Sequence, residues 1–425
     1  MDKYPEEAKQ KVAEITSNAL AEGRWTTPED YFIDPTNIEF IAYWLQKTRA
    51  PLVKGKKGYE IEQKLSPFRK PEFDLKPAGF LPGKQYRLSA VGDLMFAQHL
   101  EESKDRLFQY VEDLVFGADC AYANLESTLT SEVPKDFVPE KQGESPYINI
   151  TEEQYQSLVK HRQKQFDIVQ LANNHILDCA EEGFSTTINQ LKQDGISFTG
   201  VYETEAASKE VTMTRVDDVT IGWVSHTYSV NDRPVPEDKP WICNITPFHN
   251  EQNPDTSRIE QQIKRAREVC DLVILTLHWG LEHEFYPHPK QIDWAHQFAE
   301  LGADAIFSHH PHVIQAVEIY KPENDKGRSV PVIYSLGNIT PAYGGAATVL
   351  SLIASLGFSK GTINGKEKTV FTDLKLTPVA FMEEQEDDRV FAAVIPLAQL
   401  NRMQLDPQTR EYVNEINRYA DLVLG

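Results

Sequence analysis

From Tyr86 onward the chain alternates short apolar runs with amphipathic stretches of helical period, and this restricts the fold more than any other feature. YRLSAVGD, DCAYANLE and FDIVQLANNH read as buried strands, and EEGFSTTINQLKQDG as a helix stopped by Gly195. VTMTRVDDVTIGWVSH reads as a hairpin turning at Asp217 and Asp218. SRIEQQIKRAREVC and PKQIDWAHQFAELG are helical, and each leads into a strand, DLVILTLH and ADAIFSHH. VIQAVEIY, VPVIYSLGN, ATVLSLIAS and VFTDLKLTPV add further strands. Strands separated by helices predict an α/β domain with a largely parallel sheet, the hairpins being antiparallel additions.

A chain of 425 residues is longer than one compact core requires, so flanking segments are expected. Residues 1–85 read as an N-terminal extension of unassigned role, with a helix at 5–21 and an aromatic-rich segment, TTPEDYFIDPTNIEFIAYWLQ. A basic, proline-punctuated stretch from Lys47 to Pro82 has the composition of a linker lying on another surface. The α/β pattern occupies residues 86–382, and 383–425, opening EEQEDDRV, are expected to form an acidic loop and then a helical tail.

The 64 acidic residues against 43 basic give a net charge of −21, which argues against a nucleic-acid or anionic-membrane surface. The N-terminus lacks an apolar signal core and no long apolar run follows, so a cytoplasmic, membrane-free protein is expected. Cys120, Cys179, Cys243 and Cys270 are widely spaced and read as reduced core residues.

Function is concentrated where the strands stop. They end in Asp93, in Asn124 and Glu126, in Asn173, Asn174 and His175, in His278, and in His309, His310 and His312. In open α/β sheets the site lies beyond the carboxyl ends of the strands, so these side chains are expected to meet at one edge. Carboxylate, amide oxygen and neutral imidazole together suit divalent Mn, Fe, Zn or Co. A pair of such ions about 3.5–4 Å apart can clamp the oxygens of an in-line displacement, and a histidine outside the ligand set can protonate the leaving group. Taken singly, each residue has a bland reading as a turn, a helix cap or a core histidine. The run HHPH resists that reading, because burying three imidazoles without a partner is costly. His99, His161, His226, His249, His283, His288 and His296 read as structural or solvent-facing, with His283, Glu282 and Glu284 as candidates for the rim of the site. Phosphate-loop, serine-hydrolase and dinucleotide motifs are absent.

The ordered set AVGDLM, ANLEST, LANNHILD, HWGLEHE, SHHPHVIQ and YSLGN resembles the CapA-type poly-γ-glutamate capsule-synthesis family, itself related to calcineurin-like metallophosphoesterases. The resemblance runs from about residue 86 to about 380. It implies a four-layer α/β/β/α sandwich with one or two metal ions at a sheet edge. It assigns Asp93, Asn174, His278, His310 and His312 as metal ligands, with Asn124 or Glu126 as the bridging one. His175 is the implied proton donor, and Asn173, His309 and Glu282 are candidates for holding substrate. Met95 stands where phosphoesterases carry a second histidine, and Ser308 where glycine usually precedes the histidines.

Three functions follow from this reading. The first is a metal-dependent hydrolase acting on a phosphoester or a γ-glutamyl-type amide in a small molecule or short polymer. The second is a biosynthetic protein that assists an amide ligase partner on glutamate-derived products. The third is a non-catalytic metal-binding module.

Overall fold

The apolar runs pair into two large sheets in the computed structural model, which describes residues 6–30, 34, 36–130, 147–249, 251, 253–325 and 327–425. Within the aromatic-rich N-terminal segment, Tyr31, Phe32, Ile33 and Pro35 lie outside the described residues, as does Pro5 at the start of the first expected helix.

The first sheet contains β1 (Glu72–Asp74), β2 (Leu81–Leu94), β3 (Cys120–Leu125), β4 (Ile168–Gln170) and β5 (Ser197–Thr199). The second contains β6 (Thr212–Val216), β7 (Val219–Thr227), β8 (Leu272–His278), β9 (Ala305–His309), β10 (Val317–Tyr320) and β11 (Val330–Ile333). The chain then returns to the first sheet with β12 (Asn338–Thr340), β13 (Leu350–Ile363), β14 (Lys366–Glu386) and β15 (Arg389–Pro396). The order in the first sheet is β1-β14-β13-β2-β3-β4-β5, with β12 on β2 and β15 on β14; in the second it is β6-β7-β8-β9-β11-β10. The run β2-β3-β4-β5 is parallel, as is β7-β8-β9-β11; β12 also pairs with β2 in parallel, and the remaining strands are antiparallel additions. The molecule is thus a mixed α/β fold with the parallel cores the sequence predicts.

The longer helices are α1 (Glu6–Ala21), α2 (Ile38–Arg49), α3 (Ala180–Asp194), α4 (Ser257–Val269), α5 (Pro289–Leu301) and α6 (Pro407–Leu424), alongside shorter helices and turns. Their ends follow from local chemistry. Asn37 accepts from the backbone N–H of Glu39 and Phe40 to start α2. Gly195, at φ +71°, ends α3 in the left-handed conformation that glycine adopts without steric cost. Among the described residues no helix is long and apolar enough to cross a membrane.

The two sheets meet through Tyr122 on β3. Its ring stacks on Trp223 of β7 at 5.1 Å and approaches Phe307 of β9 at 5.7 Å. This contact brings the carboxyl ends of two parallel runs to one place. Register does the rest: Asp93 pairs with Asn124 in the first sheet, and Thr227, His278 and His309 lie level in the second.

Two expectations are corrected. The stretch from Lys47 to Pro82 is not a loose linker, because Lys47 lies in α2, β1 joins β14, and β2 begins at Leu81. The acidic stretch EEQEDDRV is not a loop but the tip of the β14–β15 hairpin, paired from Glu386↔Arg389 inward. Its outer positions are exposed, so no burial pattern marks them as strand.

Candidate metal centre

Asp93 ends β2 fully buried, and a glycine positions it. The backbone N–H of Asp93 donates to the Gly337 carbonyl at 2.9 Å, so the loop after β11 lies directly against β2. A Cβ on Gly92 would fall 1.9 Å from that same carbonyl oxygen, which only glycine avoids. Asp93 Oδ1 accepts from Asn124 Nδ2 at 2.8 Å and faces His309 Nδ1 at 2.7 Å, while Oδ2 is buried without a partner.

Glu126 follows β3 and is also fully buried. Its Oε1 has no hydrogen-bond partner, yet lies 3.4 Å from His278 Nε2 and 3.9 Å from both His175 Nε2 and His312 Nε2. Asn124 differs. Its amide nitrogen donates to Asp93, and its Oδ1 accepts from Asn173 Nδ2 at 3.3 Å. Of the two candidates at this strand end, Glu126 presents the free oxygen.

The turn after β4 carries the next three residues. Asn174 Oδ1 lies 2.8 Å from His278 Nε2. Asn173 instead builds the turn: its Nδ2 donates to the Leu125 carbonyl at 2.8 Å, and its Oδ1 accepts from the His175 backbone N–H at 3.1 Å. These contacts hold its side chain inside the turn and away from the substrate position expected for it. His175 Nδ1 lies 2.6 Å from Asp178 Oδ2, leaving Nε2 toward the cluster.

From the second sheet come His278 at the end of β8 and the segment after β9. His310 and His312 both have positive φ, +95° and +55°, a region non-glycine residues enter only when their surroundings demand it. Both ring nitrogens of His310 are buried without a hydrogen-bond partner. His312 Nδ1 lies 3.0 Å from Asn338 Oδ1 and 3.6 Å from Asp93 Oδ2, and its Nε2 lies 4.0 Å from Glu282 Oε1. His309 is a further correction. Its two nitrogens face Asp93 and the Tyr122 hydroxyl, at 2.7 Å and 2.9 Å, so it braces the aspartate and has no edge left for substrate.

Among the described residues, three sets of donors lie with their atoms within 4.8 Å of one another: Glu126, His278 and His310; Glu282, His310 and His312; and Asp93, Glu126 and His312. The sets share members, so they form one continuous cluster. Its unpartnered atoms (Asp93 Oδ2, Glu126 Oε1 and the two His310 nitrogens) are all buried, where an unmet polar atom is costly. These residues could hold a divalent cation, which would meet that need.

Burial opposes ionisation of Asp93, but the facing His309 outweighs it and holds the carboxyl well below its ordinary value. Burial and the neighbouring Asp93 charge push Glu126 up to about 8. Burial disfavours the His312 cation, yet Glu126, Asp93 and Glu282 raise it to about 10. His278 and His310 are driven well below their ordinary value, chiefly by burial, which favours the neutral ring in both.

Several participants gave no sequence signal of their own. Asp178 orients His175; its spacing of three residues from the histidine was the available clue. Arg233 Nε lies 3.4 Å from Asp178 Oδ1 and its guanidinium sits 3.8 Å from the Tyr147 ring centre. Tyr343 reaches His283 Nε2 at 3.1 Å. Glu284 does not rim the site: it is buried under Lys47 and Tyr43, at 2.6 and 3.0 Å. Four of the other histidines have local partners, His161 with Glu112, His226 with Thr246 and Gln262, His288 with Asp30 and His296 with Glu318.

These features define an α/β protein with a buried carboxylate–imidazole cluster at the shared edge of two sheets. The chain belongs to the family described as bacterial capsule synthesis protein PGA_cap, which matches residues 87–343; this CapA-type family is related to the metallophosphoesterases. The chain is 26% identical to the capsule biosynthesis protein CapA of Bacillus anthracis over 272 residues, 62% of this chain and 61% of that one. It is 26% identical to the PGA biosynthesis protein CapA of Bacillus subtilis over 297 residues, 68% of this chain and 72% of that one. A probable polyglutamine synthesis accessory protein of Mycobacterium tuberculosis is 28% identical over 185 residues, covering 41% and 45%. The chain thus spans about 61% of the Bacillus anthracis relative's length.

Proposed function

We propose that this protein is a divalent-metal-dependent hydrolase acting on a phosphoester or a γ-glutamyl-type amide. The observation that carries the reading is the set of buried, unpartnered donor atoms on Asp93, Glu126 and His310, closed in by His278 and His312. In it, the two facing sheets and their helices form the inner and outer layers of an α/β/β/α sandwich.

Asp93, Glu126, Asn174, His278, His310 and His312 would hold one or two ions, with Glu282 at the outer side. The chemistry these residues would gain from such an ion is a lower pKa for water and a polarised phosphoryl or carbonyl oxygen. The protein supplies the proton and the shape. His175, with Nδ1 fixed on Asp178, offers Nε2 at the cluster. Burial works against its cation, but Asp178 and Glu126 together raise its pKa, which favours a protonated ring suited to serve the leaving group. Burial of the whole cluster excludes bulk water and strengthens each electrostatic contact.

A second reading has its own support. The relatives' names describe biosynthesis and accessory roles, and Met95 takes the place of a second early histidine. In that reading the centre assists a partner amide ligase and performs no hydrolysis itself.

Elemental analysis of the purified protein, followed by assay with p-nitrophenyl phosphate, bis(p-nitrophenyl) phosphate and γ-glutamyl oligomers, decides between them. Near-stoichiometric metal, lost in His278→Ala and His312→Ala, with metal-dependent turnover of one substrate, is expected. Metal without turnover, together with acceleration of a ligase, would favour the assisting role. No metal after reconstitution with Mn, Fe, Co and Zn would sink both.

A further inference from the structure

A cavity of about 450 Å³ opens away from the metal centre, between the segment after β5, the β6–β7 hairpin and α4. None of its lining residues is a donor of the cluster. Trp223, which lines it, precedes Thr227 by four residues on β7, and Thr227 is level with His278. At the rise of a strand that is about 13 Å along the chain.

Two groups in its lining lack partners. Arg258 makes no hydrogen bond or ion pair with any described residue, although it is partly buried at the start of α4. The indole N–H of Trp241 is buried and has no acceptor. An unpaired, partly buried guanidinium in a concave, partly aromatic wall is the chemistry of a site that receives an anionic acceptor from outside. The other charges of the wall balance: Lys209 pairs with Glu205 at 2.7 Å and Arg265 with Glu210 at 3.5 Å. Three cations against two carboxylates leave one positive charge, that of Arg258. One surplus charge matches a single carboxylate better than a phosphate monoester, which carries about −1.5 to −2 at neutral pH.

We propose that this cavity binds a small monocarboxylate with a planar or aliphatic body, its carboxylate on Arg258 and its apolar part against Trp241 and Pro240. Its size accommodates a ligand of ordinary metabolite dimensions. The inference does not depend on the metal reading.

The test uses the full chain and isothermal titration with hippurate, a monocarboxylate carrying an aromatic ring and an amide carbonyl. Hippuramide, which lacks the charge, and phenyl phosphate serve as controls. One saturable hippurate site is expected, weakened about tenfold or more in Arg258→Gln, the usual worth of a charge-assisted hydrogen bond. Trp241→Ala, which removes the apolar wall and keeps the cation, should weaken it less, and His312→Ala should leave it unchanged. Far-ultraviolet dichroism and melting temperature establish that each variant is folded. No saturable hippurate binding at millimolar concentration would overturn the proposal. So would equal affinity for hippuramide, tighter binding of phenyl phosphate, unaltered binding in folded Arg258→Gln, or loss in His312→Ala.

Discussion

His309 Nδ1 lies 2.7 Å from Asp93 Oδ1, and this contact joins the last residue of β9 in one sheet to the end of β2 in the other. The opposite ring nitrogen faces the Tyr122 hydroxyl at 2.9 Å, so the imidazole is fixed at both ends. Asp93 is thereby aimed with its free oxygen, Oδ2, at His312 and the cluster.

A residue that orients a ligand without touching the ion commonly contributes 10–100-fold to metal affinity. His309→Ala should therefore weaken Mn or Zn binding by about that factor while leaving the ligand set intact. Titration with a competing chelator measures it. Affinity equal to the parent protein would show that Asp93 needs no brace.

Glu126→Gln removes a buried charge next to Asp93 while keeping the side chain's shape. Burial and the Asp93 charge both disfavour ionised Glu126, so the metal-free variant should melt no lower than the parent. Added metal should raise the parent's melting temperature, because a ligand that binds the folded state stabilises it, and should raise the variant's far less. An equal rise in both would remove Glu126 from the ligand set.

His175→Ala should retain metal yet lower turnover of the responsive substrate by about 10²–10⁴. Asp178→Asn should move activity in the same direction and lower the apparent pKa of the acidic group in the rate profile. That shift separates orientation of the proton donor from general damage. Full activity in His175→Ala would refute its assignment as proton donor.

The sequence made the strand ends visible because each apolar run terminates in a side chain that a core would not otherwise accept. Asp93, Glu126, His278, His310 and His312 do converge, with donor atoms within 4.8 Å inside each set. The role of His309 was not legible, because a histidine that faces a metal and one that faces an aspartate look alike in sequence. Asn173 was ambiguous for the same reason, since an amide serves a turn as readily as a ligand. The β14–β15 tip was hidden by exposure: where neither face is buried, no two-residue period of hydrophobicity is written. Lys47 was hidden in the opposite way. Its 1% exposure contradicts the usual fate of lysine, and only its partner, 237 positions later in the chain, explains it.

That partner gives the last prediction. Lys47 Nζ lies 2.6 Å from Glu284 Oε1, the Tyr43 hydroxyl donates to the same oxygen at 3.0 Å, and both charged side chains are almost wholly buried. The backbone around Leu52 completes the junction, donating to the His283 carbonyl and accepting from Phe285 N–H, each at 2.9 Å. A buried ion pair adds little over a well-packed apolar pair, but removing one member leaves a charge stranded. Lys47→Met should therefore cost about 3–5 kcal/mol in denaturant unfolding. The double variant Lys47→Met with Glu284→Leu should recover much of that loss. Since His283 and Glu282 adjoin this junction, the single variant should also expose the neighbouring backbone to faster hydrogen exchange. If Lys47→Met unfolds at the parent's denaturant midpoint, the ion pair does not hold α2 against the loop beside the cluster.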